Sequence, residues 1–325
     1  MRNNRIIITN TASVIGLEMA MSEYLRLETQ SSGNTHKAKS LDLKAFCSFL
    51  CDITDDGKAM LFDVTRGSIE DFLQHELTVK APSTVRRELA TIKHFCRTMS
   101  ETFHDFGSPA RGVRAPRIDK TQPPRLTYEQ KERLRNAAAE AVRPEIALRN
   151  MIIVELGLSN ALRCSEIAGL QAKNMTDGRL DKFRGKGTRY STMTMHKRVR
   201  LLVEQYSDLR EALITQRYPS YPELSDKEKL AFPYLVSFAG AKLSEPKSFA
   251  LNPKTIWHIF NLAGEKAGFK MHPHLARHTA IKDFYVASER DMYQTKDFAR
   301  HIDVNTTGIY AGSTMETISE TMEAM

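Results

Sequence analysis

Apolar residues recur along this chain at helical spacing far more often than at strand spacing. Over residues 36–52, Leu43, Phe46, Cys47 and Leu50 fall at i, i+3, i+4 and i+7, a single stripe on a polar helix. An earlier helix is expected from about residue 12 to 30, with Ile15, Met19 and Tyr24 among its apolar positions. Ser31-Ser32-Gly33-Asn34 supplies turn chemistry between the two, and Asp55-Asp56-Gly57 ends the second. A third helix is predicted over Ser68 to Leu77. A fourth follows Pro82-Ser83 to about Ser100, with Val85, Leu89, Ile92 and Cys96 facing inward. Thr127 and Gln130 form a capping box ahead of another helix, and Pro144 to Leu158 is strongly apolar and helical. Strand-like alternation is confined to the neighbourhood of Thr192, Met193, Thr194 and Met195, where Gly185-Lys186-Gly187 reads as a hairpin turn. A helix over 201–217 precedes an irregular stretch from Tyr218 to Pro233. Asn252 then caps a helix opened by Pro253, with Ile256, Ile259, Phe260 and Ala263 on one face and an end near Gly268. The pattern predicts a mainly α protein with one small β-hairpin sheet.

At 325 residues and 41% hydrophobic, the chain has the length of two ordinary domains with real cores. The boundary falls in residues 111–125, where Arg111, Arg114, Arg117, Lys120 and Arg125 meet one acid, Asp119, and Pro116, Pro123 and Pro124 disfavour helix. The division is therefore 1–110, a linker over 111–125, and 126–325. Lys and Arg total 47 against 39 Asp and Glu, a formal +8, which suits a nucleic-acid binder without requiring one. On the fourth helix Arg86, Lys93 and Arg97 share a face, either a DNA-facing stripe or a solvated surface. No apolar run is long enough to span a membrane and no secretory signal core is seen, so a cytoplasmic protein is expected. The four cysteines, Cys47, Cys51, Cys96 and Cys164, form no CxxC pair and no ligand cluster, and no Gly-rich phosphate loop occurs. Neither a metal nor a nucleotide cofactor is expected.

The chemistry-bearing residues lie in three short runs. Ala161-Leu162-Arg163-Cys164-Ser165-Glu166 sets an Arg and a Glu three apart beside an apolar run. Lys186 sits on the Gly turn, with Lys182, Arg184 and Arg189 as competitors. His274-Leu275-Ala276-Arg277-His278 puts His274 and Arg277 on one helical face, and His301 and Tyr310 follow nine residues apart. A tyrosine hydroxyl becomes a nucleophile only among cationic and basic groups, and an arginine fork is the best side-chain clamp for phosphate.

The order Arg163, Lys186, His274-x-x-Arg277, His301, Tyr310 resembles the signature of the tyrosine site-specific recombinases, the phage-integrase family, and in particular its two-domain Xer and integron types. Ala161 stands where the family has Gly, and Arg300 stands before His301 where Gly is usual. The resemblance implies an N-terminal helical DNA-binding bundle and a mixed, mostly helical catalytic domain that clamp duplex DNA, with the linker along it. It also implies a 3′-phosphotyrosyl intermediate at Tyr310. Arg163 and Arg277 would clamp the phosphate, with Glu166 orienting them from behind. His274 would serve as acid/base, His301 as a phosphate hydrogen-bond donor, and Lys186 as proton donor to the leaving 5′ oxygen. His272 and His278 compete with His274. Arg86, Lys93, Arg97, Arg111, Arg114, Arg117 and Lys120 would face DNA. The implied partner is double-stranded DNA with inverted-repeat sites, bound by a homo-tetramer. The reaction needs neither ATP nor metal. With only a short stretch before the first helix, a separate arm-site-binding domain is not expected. A type IB topoisomerase and a non-catalytic relative are the alternatives. The last residues open with a capping box, Ser313 to Glu316, and place Met315, Ile318 and Met322 on one face. Such a short helix needs something to pack on, either its own domain or, as the resemblance implies, a neighbouring protomer.

Overall fold

The first expected helix is interrupted at Gly16. In the computed structural model, which describes residues 12–28, 33–118, 124–141, 143–185, 189–237, 245–310 and 322–323, a 3-10 turn (Ala12–Val14) precedes helix α1 (Leu17–Leu27). Residues 15–16 leave the helix to meet a loop: the Leu17 N–H donates to the Ala59 carbonyl at 2.9 Å, and the Leu61 N–H to the Ile15 carbonyl at 2.9 Å. These bonds satisfy backbone groups that a continuous helix would have used internally. Met19, expected among the apolar positions, is 61% exposed; Leu17, Ala20, Met21 and Tyr24 carry the buried face instead.

Helices α2 (Gly33–Ile53), α3 (Arg66–Val79) and α4 (Pro82–Thr102) complete the first bundle. The expected stripes of α2 and α4 are buried. Phe46 and Phe72 meet edge-on at 5.1 Å between α2 and α3, and Tyr24 meets Phe95 at 5.6 Å between α1 and α4. Asp42 lies in this core. Arg87 is its ion-pair partner and the Thr91 hydroxyl donates to it at 2.8 Å, which offsets the cost of burying a carboxylate. Arg86, Lys93 and Arg97 lie exposed on α4, as do Arg111, Arg114 and Arg117 further on. The Lys93 ammonium donates to the Val113 carbonyl at 2.6 Å, so this lysine also ties the following loop to α4.

The chain divides into two compact units, Met1–Asp119 and Lys120–Met325. Lys120, Lys186 and the capping box at Ser313 to Glu316 lie outside the described residues.

The second unit is built around an almost wholly buried helix. Helix α5 (Tyr128–Ala139) starts at the Thr127–Gln130 capping box, and α6 (Pro144–Asn160) buries Ile152, Ile153, Val154, Leu156 and Leu158 around its circumference. A helix apolar on all sides must be covered on all sides. Following α7 (Cys164–Ala168), β1 (Met175–Thr176), β2 (Arg179–Arg184) and β3 (Tyr190–Thr194) form an antiparallel sheet in sequence order. The β2–β3 register slips by one between Leu180–Met193 and Phe183–Ser191, where Lys182 bulges at φ 44°. The bulge lets both Leu180 and Phe183 face the core. Helices α8 (Lys197–Arg217), α9 (Asp226–Leu230), α10 (Pro253–Ala267), α11 (Pro273–Ala287) and α12 (Met292–Ala299) follow. Helix α6 packs on α5, α8, α10 and α11. The expected cap at Asn252 is present, its side chain accepting the Thr255 N–H at 2.8 Å. Gly268 ends α10 in the left-handed region at φ 80°. Two 3-10 turns, Val304–Thr306 and Gly308–Tyr310, carry the chain back towards α11. No helix among the described residues is long and apolar enough to cross a membrane.

Candidate active site

Arg163 owes its position to a sharp exit from α6. Ala161 takes the left-handed conformation at φ 51°, and the Leu162 N–H returns to the Leu156 carbonyl at 3.1 Å, closing the helix. Arg163 then caps α7. Its own N–H donates to Glu166 at 2.9 Å and its guanidinium to the other carboxylate oxygen at 2.8 Å. Glu166 is 1% exposed and also receives Arg300 at 2.8 Å. Burial alone would raise the Glu166 pKa; Arg300, the Arg163 N–H and the Arg163 guanidinium outweigh it and hold the carboxyl below the ordinary range.

Helix α11 supplies the second arginine and the histidines. His272 is its N-cap: its Nδ1 accepts the Leu275 N–H at 3.1 Å. That bond holds the His272 ring at the start of the helix. Arg277 is 4% exposed and donates to the carbonyls of Ala161 and Ala299. Among the described residues no carboxylate forms an ion pair with it. Burial, with Arg163 and Arg300 adding to it, lowers its pKa to about 9. A buried guanidinium with no ion-pair partner among the described residues is costly unless an anion meets it.

Tyr310 comes to α11 from the last 3-10 turn. It is 3% exposed and packs among Ala161, Ala280, Ile281 and Ala299. The Lys282 ammonium donates to its backbone carbonyl at 2.6 Å. Its hydroxyl makes a short hydrogen bond to Nδ1 of His278, with ring centroids 5.7 Å apart. His274 lies one turn earlier, its ring 6.5 Å from that of His278. His278, set beside His274 as a competing assignment, is thus the histidine in direct contact with the tyrosine. Both lie on one face of α11, so the helical spacing admitted either. Which of the two rings meets Tyr310 is set by the path of the returning chain. Burial pushes the Tyr310 pKa up to about 12 against the pull of Arg277 and Arg163. Burial and then His274, Arg277 and His272 lower that of His278.

His301 follows Arg300, which ends α12 in the left-handed conformation that a glycine there would adopt. The His301 Nδ1 hydrogen-bonds the buried Thr307 hydroxyl at 3.0 Å, which fixes the ring. Burial first, then Arg277, Arg163 and Arg300, bring its pKa down to about 4, so it is neutral at neutral pH. Arg163, Glu166, Arg277, His301 and Tyr310 are therefore brought together, with His274 at the edge. His278, already a competing assignment, joins them, as do Arg300, Lys282 and Thr307, whose spacing in the sequence does not mark them for it. Cys164, beside Arg163, packs against the core, and burial raises its thiol pKa. No group of His, Cys, Asp and Glu among the described residues is arranged to hold a metal ion.

A mostly helical unit with a three-stranded antiparallel sheet, and a tyrosine hydroxyl enclosed by arginines and histidines, defines an enzyme of the tyrosine-recombinase class. The chain belongs to the phage integrase family, whose sequence model matches residues 124–317. It is 26% identical over 303 residues to the tyrosine recombinase XerC of Myxococcus xanthus, covering 93% of this chain and 94% of that one. Its fold is shared with XerH site-specific recombinase bound to a palindromic difH substrate in a post-cleavage complex, with a TM-score of 0.69, 14% identity and coverage of 93% and 83%. It is shared likewise with a lambda integrase dimer bound to a COC′ core site, with a TM-score of 0.67, 14% identity and coverage of 92% and 77%.

Proposed function

We propose that the chain is a site-specific DNA recombinase in which Tyr310 is the nucleophile and Arg163 and Arg277 hold the scissile phosphate. The observation that carries this is Arg277: a buried guanidinium with no carboxylate paired to it among the described residues, in the same cluster as a buried tyrosine hydroxyl. Such a group calls for an anion, and a phosphodiester supplies one. In the proposed reaction Tyr310 Oη attacks phosphorus in line, and its proton passes to a neutral imidazole. His278 touches the hydroxyl in the free chain, and His274 stands next on the same face. Charge growing on the non-bridging oxygens is met by Arg163 and Arg277, with His301 as a neutral hydrogen-bond donor from its second nitrogen. The bond to the 5′ oxygen breaks, and that oxygen takes a proton from Lys186. Attack by the 5′ hydroxyl of another strand reverses the sequence and releases Tyr310. The bond exchanged is conserved in the phosphotyrosine, so the chemistry requires no nucleotide hydrolysis and no metal.

The same reading makes the partner double-stranded DNA with inverted repeats about a short spacer. The bundle of α1–α4 and the stretch 111–125 contact its backbone through Arg86, Lys93, Arg97, Arg111, Arg114, Arg117 and Lys120. Exchange between two duplexes uses four tyrosines, hence a tetramer on DNA, with the segment after Tyr310 docking on a neighbouring protomer. A cytoplasmic location follows from a DNA substrate. The test is to select bound duplexes from a randomised pool, nick the selected sequence near the cleavage position, and incubate it with the protein and EDTA. A protein–DNA adduct stable to denaturant is expected. Cleavage that strictly requires Mg²⁺ would assign the chain to a different enzyme class.

A further inference from the structure

The most unusual side chain in the site belongs to Arg300. Its backbone sits at φ 55° and ψ 43°, a conformation that glycine adopts freely and a long side chain does not. Its side chain is only 11% exposed, although burying a guanidinium is costly. Strain and burial at one residue persist only where the surrounding contacts hold it.

Those contacts are shared with the two phosphate-facing arginines. Arg300 Nη2 donates to Glu166 Oε2 at 2.8 Å, while Arg163 takes Oε1 of the same carboxylate at 2.8 Å. Arg300 Nη2 also donates to the Ala161 carbonyl at 2.9 Å, the same oxygen that accepts Arg277. Its Nη1 reaches the Phe298 carbonyl at 3.2 Å and the Asn160 carbonyl at 3.4 Å. The remaining surface meets the sheet: the guanidinium lies 5.4 Å over the Phe183 ring of β2, and Nη1 is 3.2 Å from Met193 Sδ of β3. Its Nε has no hydrogen-bond partner among the described residues. One side chain therefore joins the end of α6, the start of α7, the end of α12 and the β2–β3 hairpin.

We propose that Arg300 is a positioning residue that sets the aim of Arg163 and Arg277 by bridging their shared acceptors, Glu166 and the Ala161 carbonyl, and braces the β2–β3 hairpin against them. The proposal rests on the recombinase reading given above. It does not require Arg300 to touch DNA. A planar fork with several donors is needed, because a single ammonium cannot span Glu166, Ala161 and Asn160 together. The charge count also changes. Arg163, Arg277 and Arg300 bring three positive charges and Glu166 one negative, which leaves a surplus for a phosphorane that carries more negative charge than the phosphodiester it forms from.

The experiment compares wild type, Arg300→Gly and Arg300→Lys on the nicked duplex whose sequence the wild-type chain selects from a randomised pool. Glycine suits the left-handed backbone, and circular dichroism with thermal melting checks that each variant is folded. Adduct formation in single turnover is expected to fall by about 100-fold in Arg300→Gly, the scale of losing alignment at a reacting centre. DNA affinity should be unchanged, and Arg300→Lys should restore little. A second readout needs no DNA: the His301 titration by NMR, assigned with His301→Asn. The charged and titratable groups facing His301 are Arg277, Arg163, Arg300 and His278. Removing one cation should move the midpoint upward in Arg300→Gly and leave it low in Arg300→Lys. A wild-type adduct rate in either variant, with wild type itself active, overturns the role of Arg300 alone. A wild-type chain that makes no adduct on the DNA it selects overturns the recombinase reading and this inference with it.

Discussion

Tyr310 is a protonated phenol in the free chain at every physiological pH, because burial outweighs the two arginines that favour its anion. In the proposed reaction its attack must therefore be coupled to a proton acceptor, and the His278 imidazole in contact with it has a pKa below the ordinary 6.5. Cleavage followed against pH should be flat from about pH 7 to 8, where that imidazole is neutral and Arg277 keeps its charge, and should fall as the pH drops below 6.5. A rate that climbs tenfold per unit through the alkaline range would show attack by a pre-ionised phenol instead. Stability moves in the same direction. His301 is neutral in the fold down to about pH 4 but takes a proton near 6.5 when unfolded, so its contribution is complete above 6.5 and is lost as the pH falls towards 4. Replacing Arg163 or Arg277 by Lys keeps the charge and removes the fork, and should slow adduct formation by about 10²–10³ while binding is retained. Order and spacing singled out Arg163, Arg277 and Tyr310, and the fold places the three near one another. The pairing of Tyr310 with His278 was not legible, since His274 and His278 are one turn apart and the choice depends on where a chain returning from α12 stops. Arg300 was visible only as a departure from glycine; nothing local signals that a left-handed arginine folds its side chain inward.

Most helix positions follow the apolar spacing, although the short α9 lies in the stretch from Tyr218 to Pro233 that was expected to be irregular. Helix α1 begins at Leu17 because residues 15–16 pair with the loop at Met60, a contact between segments far apart in sequence that no local pattern encodes. The β2–β3 hairpin was expected from its turn and alternation, but the bulge at Lys182 was not, since it answers the need to bury both Leu180 and Phe183. Two helical glycines show how tightly α11 is held. A Cβ on Gly157 of α6 would lie 2.7 Å from Phe260 Cζ and 3.3 Å from the Ala276 Cβ on α11. On Gly264 of α10 it would collide with Met271 Cβ and stand 2.8 Å from the Phe269 carbonyl oxygen, backbone that cannot swing away. Gly264→Ala should destabilise the second unit by about 1–3 kcal/mol, the usual cost of overpacking. For a unit of this size that lowers the melting temperature by several degrees. Differential scanning calorimetry measures it, and an unchanged melting temperature would mean that the turn into α11 yields freely.

At the scale of the whole molecule, the proposed function assigns encounter with DNA to charge and chemistry to the buried cluster. The formal +8 is modest, and the exposed Arg111, Arg114 and Arg117 lie together near the end of the first unit. Replacing any one with Gln should weaken binding to all duplexes alike and flatten the plot of log affinity against log salt by about 0.9 for each phosphate no longer neutralised. Fluorescence anisotropy across a salt series measures the slope, and an unaltered slope would return that residue to ordinary solvated surface. The basic stretch could be read from composition and proline placement. The DNA sequence recognised could not, because base recognition depends on how side chains meet a groove rather than on any motif in the chain. The claim on which the rest depends is that Tyr310 carries the DNA. Digesting the adduct formed on a nicked selected duplex and sequencing the nucleotide-bearing peptide by mass spectrometry locates the bond. The remnant should sit on Tyr310, and Tyr310→Phe should bind DNA yet form no adduct; a remnant on any other residue, or an undiminished adduct in that variant, would contradict it.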